Sequence, residues 1–178
     1  MRSSLLPGLV ANIRYNANRK QSRVRVFELG RVFKRDASVA DGPLTVASVN
    51  QPQALAGAAW GAATEDQWGQ KSQAVDFFDV KRDIEVLFSA QAHKLRFVPA
   101  PHALLHPGRS ARIEFGEATI GWLGELHPRW VQQQELATAP VLFEVSLESL
   151  ASLPMPSLHE LSRQPMVQRD LAIWVAAD

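Results

Sequence analysis

The chain has 178 residues, is 46% hydrophobic and 21% charged, and carries a formal net charge of +1. Those values fit one ordinary globular domain with a small appendage; they carry no general nucleic-acid signature, and no apolar run approaches the ~20 residues that cross a bilayer. With no cysteine, disulfides, thiol nucleophiles and Cys-ligated zinc are excluded, a composition that suits a cytoplasmic protein.

The opening stretch, "MRSSLLPGLV", is too weakly hydrophobic and too soon interrupted by Pro7 to be a secretory signal. It reads instead as the start of a helix over residues 5–18. Ser3 or Ser4 can cap it, and Pro7 falls in the first turn, where a missing N–H costs little. Leu6, Leu9, Val10, Ile13 and Ala17 recur at helical spacing and predict one buried stripe, opposite Asn12, Asn16 and Arg19. Next, "RVRVFELGRVF" (23–33) predicts a strand bent at Gly30. A polar loop follows, then a weak strand in "LTVASVN" and a better one in "LAGAAWG" (55–61), whose small residues allow a close neighbour. From Arg14 to Arg35 the chain carries Arg14, Arg19, Lys20, Arg23, Arg25, Arg31, Lys34 and Arg35, with Glu28 the sole acid. That cluster suits phosphate or an acidic partner, or is simply a solvated face.

"DFFDVKRDIEVLFSA" (76–90) is the clearest helix: Asp76 as cap, Asp79 three residues on, and Phe77, Val80, Ile84, Leu87 and Phe88 as core stripe. "KLRFVPA" is a short strand. "ARIEFGEATIGWLGEL" predicts a hairpin, "HPRWVQQQELA" a short helix with Pro128 in its first turn, and "VLFEVSLESL" a strand with Val141, Phe143, Val145 and Leu147 on one face. Three prolines within 154–165 predict a linker. Beyond it, 166–178 begins a strand that cannot bury its apolar face alone, so the chain is expected to be cut from something larger.

"HALLHPGRSARIEFG" (102–116) holds the most conspicuous group of chemical side chains. His102 and His106 have the i, i+4 spacing of a helical zinc site, but Pro99, Pro101 and Pro107 argue against a helix and the glutamate of H-E-x-x-H is missing. Ser110 lacks the G-x-S-x-G elbow of a nucleophile. Pro107-Gly108 reads as a turn setting the direction of the strand from Ala111 to Phe115, with Arg109 bridging a carboxylate or facing a partner. Gly121 and Gly124 do not make a phosphate loop. No catalytic, cofactor-binding or metal-binding residue is assigned, and the residues alone predict an α+β domain.

Seven segments in order carry a specific resemblance: "MRSSLLPGLVANIRYNANRK", "VRVFELGRVF", "LAGAAWG", "AVDFFDVKRDIEVLF", "LHPGRSARI", "IGWLGELHP" and "VLFEVSLESL". From Met1 to about Leu153 the chain resembles the catalytic-like domain of bacterial phenylalanyl-tRNA synthetase β chains. "ELSRQPMVQRDLAIWV" is similar to the first strand of the ferredoxin-like anticodon-binding domain that follows there. The resemblance implies a class II aminoacyl-tRNA synthetase-like antiparallel sheet flanked by helices over 1–153, a linker over 154–165, and the first strand of a truncated anticodon-binding domain over 166–178.

The same resemblance implies a role without chemistry in this segment. In the family two α and two β chains form a heterotetramer; the α chain activates phenylalanine with ATP and magnesium and transfers it to tRNA-Phe. Active class II domains grip the ATP α-phosphate with the arginine of an "F-R" pair, where this chain has Phe33-Lys34. Lysine keeps the charge but loses the two-pronged fork. The family's third motif, a glycine-rich strand-helix ending in arginine, has no counterpart. The expected role is a non-catalytic scaffold that docks the α subunit. Leu9, Ile13, Asn16, Arg19, Arg23 and Arg25 are the expected partner or RNA contacts, unless the first helix simply covers the sheet. The alternative is a stand-alone RNA-binding module using 14–35.

Overall fold

A computed structural model describes residues 1–154 and 169–174 of the chain. The first helix, α1, spans Leu6–Ala17 with Pro7 in its first turn. Leu5, not Ser3 or Ser4, occupies the N-cap position, with no side-chain cap; Ser4 Oγ, one residue earlier, accepts the Leu6 N–H at 3.1 Å. The expected stripe is also there: Leu6, Leu9, Val10 and Ile13 are buried.

Behind α1 stands a six-stranded sheet, antiparallel throughout, of β1 (Arg23–Arg31), β4 (Gln53–Gly61), β5 (Leu95–Pro99), β6 (Leu105–Phe115), β7 (Ala118–Leu126) and β8 (Val141–Ser146). Their order is β1-β4-β8-β7-β6-β5, so β8, the last strand among the described residues, enters the middle. The weak strand expected in "LTVASVN" shrinks to β3 (Val49–Asn50), paired with β2 (Lys34–Arg35) in a separate ribbon.

Alternation decides what lies on each face. Ala54, Ala56, Ala58 and Leu142 pack with α1, and the small β4 side chains let that helix lie close. On the other face Leu55, Ala59, Val141, Phe143 and Val145 pack with α2 (Phe77–Phe88). At Gly57 a Cβ would strike the Phe143 ring, so only glycine leaves room for it. Helices on both faces explain why Val141, Leu142 and Phe143 are buried in succession.

The capping box of α2 forms as the sequence predicts: Asp76 Oδ1 accepts the Phe78 and Asp79 N–H groups at 2.8 and 3.0 Å, and Asp79 Oδ2 accepts the Asp76 N–H at 2.9 Å. Its stripe is narrower than expected. Val80, Ile84 and Phe88, spaced by four, are buried, whereas Leu87 lies beside that ridge and is 41% exposed.

Two further expectations change, and a third is largely outside the described residues. Pro107-Gly108 is not a turn before a strand; it sits inside β6, where five steps from Leu105 to Ser110 face two from Leu126 to Gly124, so the strand bulges. Leu147 does not extend β8 but opens α4 (Leu147–Ala151). Of the strand expected over 166–178, residues 169–174 are exposed and carry no strand pairing; the rest, and almost all of the expected linker, lie outside the described residues. The short helix after β7 is α3 (Pro128–Gln133), capped by His127 Nδ1, which accepts the Arg129 N–H at 3.1 Å.

Candidate functional site

Register aligns one row of side chains across the α1 face: Glu28 opposite Ala56, Ala56 opposite Glu144, Glu144 opposite Trp122 and Trp122 opposite Arg112. Polar residues at inward positions of apolar strands call for partners, and each has them. Glu28 pairs with Arg2. Glu144 Oε2 accepts the Leu5 N–H at 2.6 Å and the Ser4 hydroxyl at 2.9 Å, fixing the start of α1 over the sheet. Arg112 and Arg96 both bind Glu114, with Arg96 Nη2 at 2.9 Å from Oε2 and Arg112 Nε at 2.9 Å from Oε1. The hydrogen bond from Arg112, reinforced by both cationic charges and opposed by burial, holds the Glu114 carboxyl below its ordinary range.

His102 lies against Trp122, ring centroids 5.0 Å apart. Burial pushes its imidazole below the ordinary value, and the nearby Glu144 charge only partly opposes this. A hollow of about 210 Å³ opens beside Trp122, lined among others by Lys34, Gln53, Thr119, Glu144 and Ser146.

The residues of "HALLHPGRSA" do not converge. His102 Nδ1 accepts the Leu104 N–H at 3.3 Å, His106 Nδ1 accepts the Gly108 N–H at 3.0 Å, and Ser110 Oγ donates to the Ala100 carbonyl at 2.8 Å. Each shapes its own stretch of backbone. Arg109 takes the first of its two expected roles, pairing with Glu125 at 2.9 Å. Among the described residues, no three His, Asp or Glu side chains are grouped to hold a metal.

The six residues expected at a partner surface are scattered. Leu9 and Ile13 are 4% and 0% exposed and belong to the chain's own core, which corrects their assignment as contacts. Asn16 Nδ2 donates to Asn12 O and Oδ1, both at 2.9 Å. Arg19 lies over the Tyr15 ring, 3.4 Å from its centroid. Arg23 is half-buried with Nε unpaired, and Arg25 pairs with Asp83 at 2.6 Å. At ~3.4 Å per residue the nine residues of β1 put Arg23 and Arg31, two members of the basic segment, on the order of 27 Å apart, so 14–35 is no compact patch. Sequence reasoning missed Arg2, Glu28, Arg96, Arg112, Glu114, Trp122 and Glu144. The available signal was a charged residue at inward phase in an apolar strand, as in "RIEF" and "LFEV".

Residues 1–147 match the family described as "Phenylalanyl tRNA synthetase beta chain CLM domain". The chain belongs to the phenylalanyl-tRNA synthetase beta chain family. It is 63% identical over 177 residues to the "Phenylalanine--tRNA ligase beta subunit" of Bordetella parapertussis, which covers 99% of this chain and 22% of that protein. It is 52% identical over 179 residues to the subunit of the same name from Ralstonia nicotianae, covering 100% of this chain and again 22% of the other. The chain thus spans about a fifth of the length of these relatives. In three dimensions it resembles the pyrrolysyl tRNA synthetase of Desulfitobacterium hafniense, with a TM-score of 0.57 at 16% identity over 85% of this chain and 48% of the other. The fold of this beta chain segment is therefore the class II synthetase sheet, in agreement with the sequence reading. No helix among the described residues is long and apolar enough to cross a membrane.

Proposed function

We propose that this chain is a non-catalytic, class II-like scaffold domain of a phenylalanine–tRNA ligase β subunit that docks the catalytic α subunit and positions parts that hold tRNA-Phe. The observation that carries this reading is the fate of the carboxylates on the α1 face. Glu28, Glu144 and Glu114 are engaged by Arg2, by the first turn of α1, and by Arg96 with Arg112. They hold the chain's own parts together rather than a substrate or a magnesium ion.

The residues present also do not fit ATP. Lys34 stands where an α-phosphate arginine is expected, on an exposed two-residue strand. The central strand-helix pair, β8 with α4, reads "VLFEVSLESLA", with neither glycine nor arginine. Without those groups little would stabilise charge developing at the α-phosphate, so ATP and magnesium belong to the α subunit of the holoenzyme.

The contact surface we assign is the outer edge of β1, which has β4 as its one neighbour among the described residues and leaves Phe27 and Leu29 73% and 55% exposed. Co-expression with an α subunit from a related bacterium tests the reading. The chain is expected to co-purify with it, and Phe27→Ser with Leu29→Ser to weaken the association. Phenylalanine-dependent ATP–pyrophosphate exchange by this chain alone would overturn the non-catalytic assignment.

A further inference from the structure

The basic segment visible in the sequence is dispersed, but the fold assembles a different cationic pair. Arg96 on β5 stands opposite Glu114 on β6, and Arg112 lies two residues before Glu114 on the same face. Glu114 is 8% exposed, whereas the arginine side chains are 66% and 38% exposed. One buried carboxylate therefore holds two guanidiniums at the surface, and one positive charge remains. A purely structural ion pair needs only one of them.

The geometry of the unused donors matters more than the charge. Arg96 engages the protein through Nη2 alone, on Glu114 and weakly on the Gly116 carbonyl at 3.5 Å. Arg112 uses Nε and Nη2. The Nε and Nη1 groups of Arg96 and the Nη1 group of Arg112 have no partner among the described residues. Arginines already ordered by a carboxylate lose little side-chain freedom on binding, and their forks match phosphate oxygens. Lys94, two residues before Arg96, is a further exposed cation of this edge, and Glu117 in the β6–β7 turn its exposed acid. Directly across from Arg112 stands Trp122, partly exposed, an aromatic ring of the kind on which ribose or a base rests.

We infer that Arg96 and Arg112, held by Glu114 beside Trp122, form a clamp for a backbone phosphate of RNA. The forks fit carboxylate and phosphate alike; RNA is favoured over an acidic protein by the aromatic ring beside them, a surface for ribose or a base, and because relatives carry the name of a tRNA ligase. To that extent the inference rests on the β-subunit reading. It places the contact on the outer strands, at the opposite edge of the sheet from β1.

The test is titration of this chain with a tRNA-Phe transcript over a range of salt concentrations, for wild type, Arg96→Ala and Arg96→Lys. Thermal melts confirm that each variant is folded. Arg96→Ala is expected to weaken binding about tenfold, and to lower the slope of log affinity against log salt by about 1. Arg96→Lys is expected to keep the slope and recover only part of the affinity. Unchanged affinity and slope in Arg96→Ala, or no wild-type binding at low salt, would overturn the clamp. Capture of the α subunit is measured on the same preparations. If capture persists while RNA binding proves indifferent to Arg96, the clamp alone falls; if capture fails while Arg96-dependent binding holds, the scaffold reading alone falls.

Discussion

Glu144 Oε2 accepts the backbone N–H of Leu5 at 2.6 Å, so a central strand closes the first turn of a helix whose N-cap residue lies 139 residues earlier. The carboxylate supplies the acceptor that an N-terminal turn lacks, and its charge faces the positive end of the helix dipole. Glu144→Ala leaves the Leu5 N–H and the Ser4 hydroxyl without this acceptor, and is expected to cost about 1–3 kcal/mol in urea unfolding. Glu144→Gln keeps an acceptor but no charge and is expected to cost less. No loss in Glu144→Gln would mean that the charge contributes nothing; equal losses in both would mean that a neutral acceptor contributes nothing.

Leu9 and Ile13 mark the difference between a helix that covers its own sheet and one that waits for a partner. Each is buried under Ala-rich β4, so Leu9→Ala and Ile13→Ala are expected to cost about 2–5 kcal/mol in the isolated chain. Arg19→Ala, in the exposed turn just past the same helix, is expected to stay within about 0.5 kcal/mol. Denaturant midpoints for the three variants check this ordering.

His102 gives stability a pH dependence with a definite sign. Its folded value lies below the ordinary 6.5, chiefly through burial, so the folded state favours the neutral ring. Above pH 6.5 the ring is neutral folded or unfolded, and its contribution is fully present. As pH falls below that value the unfolded chain takes up the proton first, and stability declines until the folded ring also protonates. Urea midpoints between about pH 7.5 and 5 are expected to fall in wild type, and to fall less in His102→Phe. An NMR titration of His102 that gives an ordinary value would remove the effect.

How much of this was legible follows from whether a signal is local. The cap of α2 needs only Asp76 and Asp79, three residues apart, and the sequence displays both. The stripe of α1 is equally plain, because four apolar residues at helical spacing have one way to be buried. Ordered segments were enough for the family. The bulge in β6 was not, because Pro107-Gly108 has the same local chemistry in a turn as in an interrupted strand. The Arg96–Glu114–Arg112 group was hidden for a different reason: its partners meet only once β5 and β6 are in register. The basic run from Arg14 to Arg35 misled in the opposite direction, since an extended strand separates what the sequence places together.

The position of β8 governs the order in which this domain can be made. Its neighbours β4 and β7 are not paired with each other, and β4 ends about 80 residues before β8 begins. During synthesis β1 with β4, and β5 with β6 and β7, can form only as two separate antiparallel pieces, each presenting an unpaired edge. Pairings across such a span close slowly, and open edges invite misassembly while they wait. Six residues, Val141–Ser146, then join both edges at once and bring Glu144 to the start of α1. Whatever interrupts the chain before them leaves two half-sheets and an uncapped helix.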